Sequence, residues 1–250
     1  MTDILAPFFR DIGELFRPAL FNVYFAVASI PLGFVLAIGV AVVRHRGHPV
    51  WSRLAAGYTS FFRGSPLFIQ FFLVYSVVLS LNLSLWQPLG VDRFILHPLF
   101  LGPFVLTLNT TAYTSEIFFG ALRTVPKGEI DAAHAFGMGR WRTFRSVTWP
   151  NVIRVAWPAY TNEVIFLFQA TAIVYFTLPL VHGQQELLIR AEELFQRDYN
   201  VFLHFGVAAL YFVVISLLVF VGFGLIYRRL MRHAGGPVPR WVRYAPKFLR

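Results

Sequence analysis

The sequence contains no cysteine and few charged residues, since Asp, Glu, Lys and Arg together make up 14% of its 250 residues. Without cysteine, disulfide bonds, thiol catalysis and Cys-ligated metal sites are excluded. A soluble domain usually carries about 25% charged residues, whereas this chain is 57% hydrophobic, with a mean hydropathy of +0.61. Its apolar residues are grouped in long runs, which indicates an integral membrane protein.

Two further kinds of motif are missing. The sequence contains no Gly-x-x-x-x-Gly-Lys-Ser/Thr phosphate loop, so the chain is not expected to hydrolyse ATP by that route. Its seven histidines do not follow any metal-ligand spacing. We therefore predict neither a catalytic site nor a metal site. His204, inside an apolar run, is expected to be an interior histidine with hydrogen-bond partners.

Five apolar runs are long enough to cross a hydrocarbon layer of about 30 Å, which takes about 20 helical residues. The sequence thus predicts an all-α membrane protein with five transmembrane helices, as a single domain over residues 1–250. Apolar residues also recur at helical spacing over 3–16, which predicts a short helix at the membrane surface. The five runs cover residues 19–43, 66–85, 99–122, 155–180 and 201–227.

Basic residues indicate the orientation, because arginine and lysine are retained on the cytoplasmic side. With the N-terminus outside, the cytoplasmic segments are 44–63, 123–154 and 228–250, and they hold most of the 22 basic residues. The sequence thus predicts a periplasmic N-terminus and a basic cytoplasmic tail over 228–250 that can contact anionic lipids. This topology explains the net charge of +10, so nucleic acid is not an expected partner.

The cytoplasmic segment 123–154 has the composition of two short helices joined by a glycine turn. Pro126 interrupts the preceding helix. Glu129 and Asp131 follow in the first turn of a new helix, where the helix dipole favours acids. Gly137 can end that helix, and a second, basic helix is predicted after it.

Three blocks of this segment stand at a distinctive spacing: Asp131-Ala132-Ala133, Gly137 and Val147-Thr148-Trp149-Pro150. They resemble the EAA loop of ABC importer permeases, which reads Glu-Ala-Ala, three residues, Gly, nine residues and Ile-x-Leu-Pro. All spacings match, while Asp131, Val147 and Trp149 depart from the family's residue types. The Asp131 carboxylate is also one methylene shorter than that of Glu. The resemblance implies a coupling loop that docks on a separate ATPase, through Glu129, Asp131, Ala132, Ala133, Gly137 and Arg140.

Other segments carry a related resemblance: Arg63-Gly64-Ser65-Pro66-Leu67 with Gln70, residues 107–117 and residues 158–164. They look most like the M-type permeases of histidine/lysine/arginine and opine uptake systems. The resemblance implies the type I importer fold in a bacterial inner membrane, import of amino acids or opines, and ATP bound by partner subunits. It also implies a second permease subunit, homologous or identical, a cytoplasmic ATPase dimer and a periplasmic solute-binding protein.

A substrate path is predicted around Glu163, because a carboxylate inside a membrane helix costs about 2.5–3.5 kcal/mol on insertion scales and should face a polar interior. The functional interpretation is an acid that meets a cationic amino group. The alternative is a structural acid that neighbouring helices hold by hydrogen bonds, or that burial keeps protonated. Glu116 is expected to pair with a basic loop residue. The predicted path residues are Glu163, Asn162, Asn109, Tyr160 and Gln169.

An ion-coupled secondary transporter is the alternative function. Five spans are few for that class, and no inverted repeat of interrupted segments is apparent. A membrane enzyme would need paired catalytic or metal residues at one depth, whereas Glu116, Glu163 and His204 are scattered along the chain. The sequence therefore favours ATP-driven import.

Overall fold

The computed structural model describes residues 2–178 and 186–232, with side chains from residue 6 onward. Within these ranges every regular element is a helix, as predicted. Single turns of π-helix at Asn82–Trp86 and Phe144–Thr148 and of 3-10 helix at Thr171–Ile173 join some of them. The α-helices are α1 (Thr2–Arg46), α2 (Pro49–Gly64), α3 (Leu67–Ser80), α4 (Asp92–Ile95), α5 (Pro98–Thr124), α6 (Lys127–Ala135), α7 (Arg140–Thr143), α8 (Trp149–Ala170), α9 (Val174–Thr177), α10 (Leu187–Asp198) and α11 (Val201–Arg232).

The first helix is longer than predicted. The prediction of a separate surface helix over 3–16 is wrong, because α1 continues without a break through three internal prolines. The reason is tertiary packing: Leu15 and Ala19 are buried against α10 and α11, which holds this part of the chain in line with the rest of α1. Packing of an apolar face commonly outweighs local propensity in this way.

The predicted second span, 66–85, coincides with α3 and the π-helical turn Asn82–Trp86 that follows it, and its role as a span stays a prediction. Helix α3 by itself has 14 residues, about 21 Å at 1.5 Å per residue, which is shorter than the hydrocarbon layer. Together α2 and α3 qualify as one broken span, with a bend of 112° between them. The break falls at Ser65, which is extended (φ −112°, ψ 142°), as expected for a residue before proline.

Two described helices are long and apolar enough by themselves to cross a membrane, Ala6–Arg46 and Val201–Arg232. Helix α5 has 27 residues, about 40 Å, but it is less apolar because it buries a series of polar side chains among its neighbours. The count of five spans stays a prediction. The buried polar residues of α5 are Thr107, Asn109, Thr110, Thr111, Thr114 and Ser115.

Buried apolar side chains form three clusters that follow α1 from one end to the other. The first joins its start to α10 and α11. The second, around Phe25, joins its middle to α3, α5 and the segment around α9. The third, around Ala37 and Ala41, joins its end to α5 and the first half of α8. Helix α1 is therefore the element against which most of the others pack.

Helices α1 and α5 approach each other through small residues at intervals of four: Ser29, Gly33, Ala37 and Ala41, all buried. Such spacing lets two membrane helices come close. A methyl group added at Gly33 would overlap Thr110 of α5 and lie 3.6 Å from the Thr111 nitrogen. We call this contact the small-residue seam.

Polar contacts join the start of α1 to α10 and α11. His204 is fully buried; its Nδ1 lies 2.5 Å from Asp11 and its Nε2 2.6 Å from Asp198, which confirms the expected interior histidine with partners. The hydrogen bond with His204 also lowers the pKa of the Asp198 carboxyl. Beside it, Arg190 donates to Glu14 at 2.5 Å.

The small-residue seam yields a prediction for Gly33→Ala. The new methyl group forces either Thr110 to rotate or the two helices to separate, and overpacking of this kind costs about 1–3 kcal/mol. We expect a lower thermal unfolding temperature in detergent.

Gly39→Ala on the same helix is the matched control, because nothing lies within 4 Å of a methyl group added there. It should leave the unfolding temperature unchanged or raise it slightly, since alanine has the higher helix propensity. Equal unfolding temperatures for the two variants would contradict the seam.

Candidate functional site

A cavity of ≈ 680 Å³ lies between the α2–α3 break, α5, and the middle of α8. Three of the predicted path residues, Asn109, Asn162 and Glu163, line it. The remaining lining residues are Arg63, Gly64, Ser65, Pro66, Leu67, Tyr113, Ile117, Ala159, Phe166, Leu167, Ala170 and Ile173.

The cavity presents one acid and one base. Glu163 accepts a hydrogen bond from Thr110 Oγ1 at 3.1 Å, so the residue that packs on Gly33 also positions this carboxylate. Arg63 belongs to the last turn of α2, and its Nη1 lies 3.4 Å from Glu116. Tyr113 donates from its hydroxyl to the Arg63 carbonyl at 3.3 Å. The arrangement offers partners for both a cationic and an anionic group.

Gln70 holds the break between α2 and α3 in place. Its amide nitrogen lies 2.7 Å from the Phe62 carbonyl and 2.9 Å from the Ser65 carbonyl, at the end of a helix whose last carbonyls lack helical partners. Its amide oxygen accepts from Asn109 at 2.9 Å. Asn109 therefore lines the cavity while its amide group ties α5 to the break.

Glu116 has basic partners on two helices, as expected of a structural acid. Arg44, near the end of α1, donates to it, and Arg63 completes the pair from α2. Arg123, two turns further along α5, lies instead over the Phe119 ring, 5.9 Å from its centroid. These ion pairs connect α1, α2 and α5 beside the cavity.

The two other predicted path residues lie elsewhere. Tyr160 is buried among aromatic rings, with its centroid 5.1 Å from Phe34 and 5.9 Å from Phe223. Gln169 is exposed and does not belong to the cavity lining. It shares an exposed face of α8 with Asn162, seven residues earlier, along with Val155, Ala159 and Phe166.

The loop after α5 forms the two helices that the sequence predicts. Helix α6 begins after Pro126, and Gly137 follows its end with φ +76°, in the left-handed region that favours glycine. Glu129 accepts from the Asn151 side chain in the first turn of α8, which fixes α6 to that helix. Ala133 is buried, whereas the other predicted docking residues are exposed: Glu129, Asp131, Ala132, Gly137 and Arg140.

Two aromatic residues of this loop were not predicted as part of a site. Phe136 is 87% exposed and Trp141 72% exposed. Aromatic side chains are enriched in the cores of protein–protein interfaces relative to the rest of the surface. An aromatic residue on each side of the Gly137 turn was the signal that the sequence offered.

An apolar helical bundle with an acid and a base in one cavity is the arrangement expected of a membrane transport protein. The chain belongs to the family described as the binding-protein-dependent transport system inner membrane component, whose model matches residues 16–232. It is therefore an inner-membrane, multi-pass protein, and the family favours the importer over the ion-coupled alternative. In the described part of the chain no group of three or more His, Asp or Glu side chains could hold a metal ion.

Several relatives are permease proteins of amino-acid and opine transport systems. HisM of the histidine/lysine/arginine/ornithine system of Salmonella typhimurium is 32% identical over 243 residues, 93% of this chain and 98% of that protein. NocM of the nopaline system of Agrobacterium fabrum is 33% identical, covering 86% and 88%. OccM of the octopine system of Rhizobium radiobacter is 34% identical, covering 78% and 76%.

Solved structures confirm the fold class. An amino acid ABC transporter crystallised with histidines has a chain with a TM-score of 0.69 and 22% identity, covering 87% of this chain and 94% of that one. A chain of the inward-facing MetNI methionine ABC transporter gives a TM-score of 0.67 at 20% identity, covering 86% and 95%. The predicted all-α permease fold is thus correct.

Another acid, Glu186, is buried and was not predicted as a site residue. It precedes α10 and accepts from the backbone nitrogens of Leu188 and Ile189 at 2.8 and 3.3 Å, capping the helix. Asn22 of α1 donates to it at 2.8 Å and to Thr171 at 3.1 Å. Burial outweighs these hydrogen bonds and raises the pKa of Glu186 to about 7.

This shift predicts a pH-dependent contribution to stability. The folded chain binds the Glu186 proton more tightly than the unfolded chain does. The stabilisation of the folded chain by this proton is therefore complete below the ordinary pKa of 4.5 and is lost as the pH rises through about 7. Over that range we expect the wild type to lose on the order of 3 kcal/mol of unfolding free energy relative to Glu186→Gln. Parallel curves of unfolding temperature against pH would contradict the assignment.

Proposed function

We propose that the chain forms the translocation path of an ATP-driven importer for cationic or polar amino acids such as histidine, arginine and lysine, or for opines. Its N-terminus faces the periplasm and its C-terminus the cytoplasm. The observation that carries this proposal is the cavity beside Glu163, which combines a carboxylate with polar side chains in an otherwise apolar helical bundle. The substrates named for HisM, NocM and OccM support the same range of solutes.

The charges of the cavity suit a cationic amino acid. Thr110 donates a hydrogen bond to Glu163, and a carboxylate can accept several more. A cationic group that reaches Glu163 compensates the cost of keeping this acid away from water. Arg63 lines the same cavity and can receive the substrate carboxylate as a two-pronged donor.

Glu163→Gln tests this assignment. Glutamine keeps the shape and the acceptor for Thr110 but removes the charge. The activation free energy for transport of a cationic amino acid should therefore rise by about 1–3 kcal/mol. The measurement is uptake into reconstituted vesicles with the binding protein saturated. Transport of a neutral polar amino acid is the control and should change less.

Unchanged uptake of the cationic substrate would remove Glu163 from the path. Loss of assembly in this variant would instead favour the structural interpretation of this acid.

The partners of the proposed importer are a second permease, homologous or identical, a cytoplasmic ATPase dimer and a periplasmic solute-binding protein. The exposed face of α8 supports a second permease. Asn162 and Gln169 place polar groups on this face, although α8 belongs to a predicted membrane span. A facing subunit would enclose these groups, and Gln169 would then join the path across the subunit boundary. ATP is bound by the partner ATPase in this proposal.

The loop with α6 and α7 is the proposed ATPase contact. It combines the exposed acid Asp131, the exposed base Arg140 and the two exposed aromatic rings of Phe136 and Trp141. Aromatic and arginine side chains dominate the energetics of many protein interfaces. Because Glu129 fixes α6 to α8, a movement of the docked ATPase would reach the cavity through α8.

Gly137→Ala tests the contact through the backbone. Nothing lies within 4 Å of the new methyl group, so the effect comes from φ +76° alone, which costs an L-residue about 1–2 kcal/mol. We expect the amount of ATPase that copurifies, or ATP-dependent uptake, to fall by about 5- to 30-fold.

Gly139→Ala is the matched control, two residues away, with equally open space and φ −66°. It should behave as the wild type does. If the two variants couple equally well, the turn at Gly137 does not position the docking surface.

A further inference from the structure

A second cavity lies where the start of α8 meets the end of α11. Its volume is ≈ 480 Å³, and it combines apolar walls with two arginines. Arg154 contributes from α8 and Arg229 from α11, while no acidic side chain lines the cavity in the described part of the chain. The apolar wall consists of Ile153, Ile226 and Leu230, with Trp149 at one end. We call this cavity the α8–α11 groove.

The groove lies at a membrane boundary. Arg154 directly precedes the apolar run 155–180, and Arg229 follows the run 201–227 by two residues. The two runs enter and leave the membrane at this end, so both guanidinium groups stand at the level of lipid headgroups. Tryptophan is enriched at the same level, as Trp149 is here. The apolar wall continues along α11, where Ile226 and its neighbour Leu225 are exposed.

We propose that the α8–α11 groove binds an anionic phospholipid, with its phosphate between Arg154 and Arg229 and an acyl chain along Ile153 and Ile226. Arginine binds phosphate oxygens as a planar two-pronged donor. Basic pockets between membrane helices are known to hold anionic headgroups. A zwitterionic lipid fits the apolar wall but carries no net negative charge to match the two arginines.

The lipid would support the base of the docking loop. Asn151, three residues before Arg154 in α8, donates to Glu129 of α6. A headgroup that joins α8 to α11 therefore stabilises the helix to which the loop is fixed. The proposal needs only the membrane location of the chain and holds for any transported solute.

The test uses the full-length chain in mixed micelles with equal amounts of phosphatidylglycerol and phosphatidylcholine. Native mass spectrometry measures the ratio of the two bound lipids. The wild type should retain phosphatidylglycerol preferentially. At about 1 kcal/mol for each basic residue, Arg154→Gln and Arg229→Gln should each lower that preference about five-fold, and the double variant about 25-fold.

Three controls separate the explanations. Arg53→Gln removes an exposed arginine outside the groove and should retain the wild-type preference. Arg154→Lys with Arg229→Lys keeps both charges and should retain most of it, which separates lost binding from lost folding. Inorganic phosphate, which has no acyl chain, should not displace the lipid.

Other outcomes overturn the site. The same ratio of bound lipids in the wild type and the double Gln variant would show that the arginines do not select the lipid. An equal loss in Arg53→Gln would indicate a general charge effect. Displacement by phosphate alone would indicate an anion site without a lipid.

Discussion

The close approach of α1 and α5 is the contact on which the rest of the structure depends. Because Ser29, Gly33 and Ala37 have small side chains or none, the two helices come close enough for Thr110 to lie against Gly33. Thr110 in turn donates to Glu163 of α8. The distance between two helices thus sets the position of the acid in the cavity, because membrane helices associate by packing rather than by exclusion of water.

The same bundle must satisfy polar groups that lipid cannot solvate. The break between α2 and α3 exposes helix carbonyls, and Gln70 provides the donor that they lack. Since Gln70 also accepts from Asn109, the break and α5 form one rigid wall of the cavity. Arg44 of α1 and Arg63 of α2 both pair with Glu116 of α5, so these ion pairs also join three helices beside the cavity. These polar contacts account for several of the polar side chains that α5 buries.

Features set by neighbouring residues could be predicted from the sequence, and features set by distant contacts could not. Pro126 and Gly137 mark the bounds of α6 because proline and glycine act on the backbone locally. The start of a span just after Ser65 was predicted, whereas helix α2 before it was not, because its basic residues had indicated a cytoplasmic segment. His204 was predicted to have partners, but Asp11, 193 residues away, could not be named. Glu163 was identified by the cost of its charge, whereas Arg63 in the same cavity was predicted only as a cytoplasmic basic residue and as part of the resemblance over 63–67.

The central claim is that this chain forms a solute path driven by a separate ATPase. The most direct measurement is uptake of a labelled cationic amino acid into vesicles that contain the assembly copurified with this chain. The account predicts uptake that requires both ATP on the side of the α6–α7 loop and the solute-binding protein on the opposite side. Uptake driven by an ion gradient, in vesicles that contain this chain without an ATPase, would contradict it.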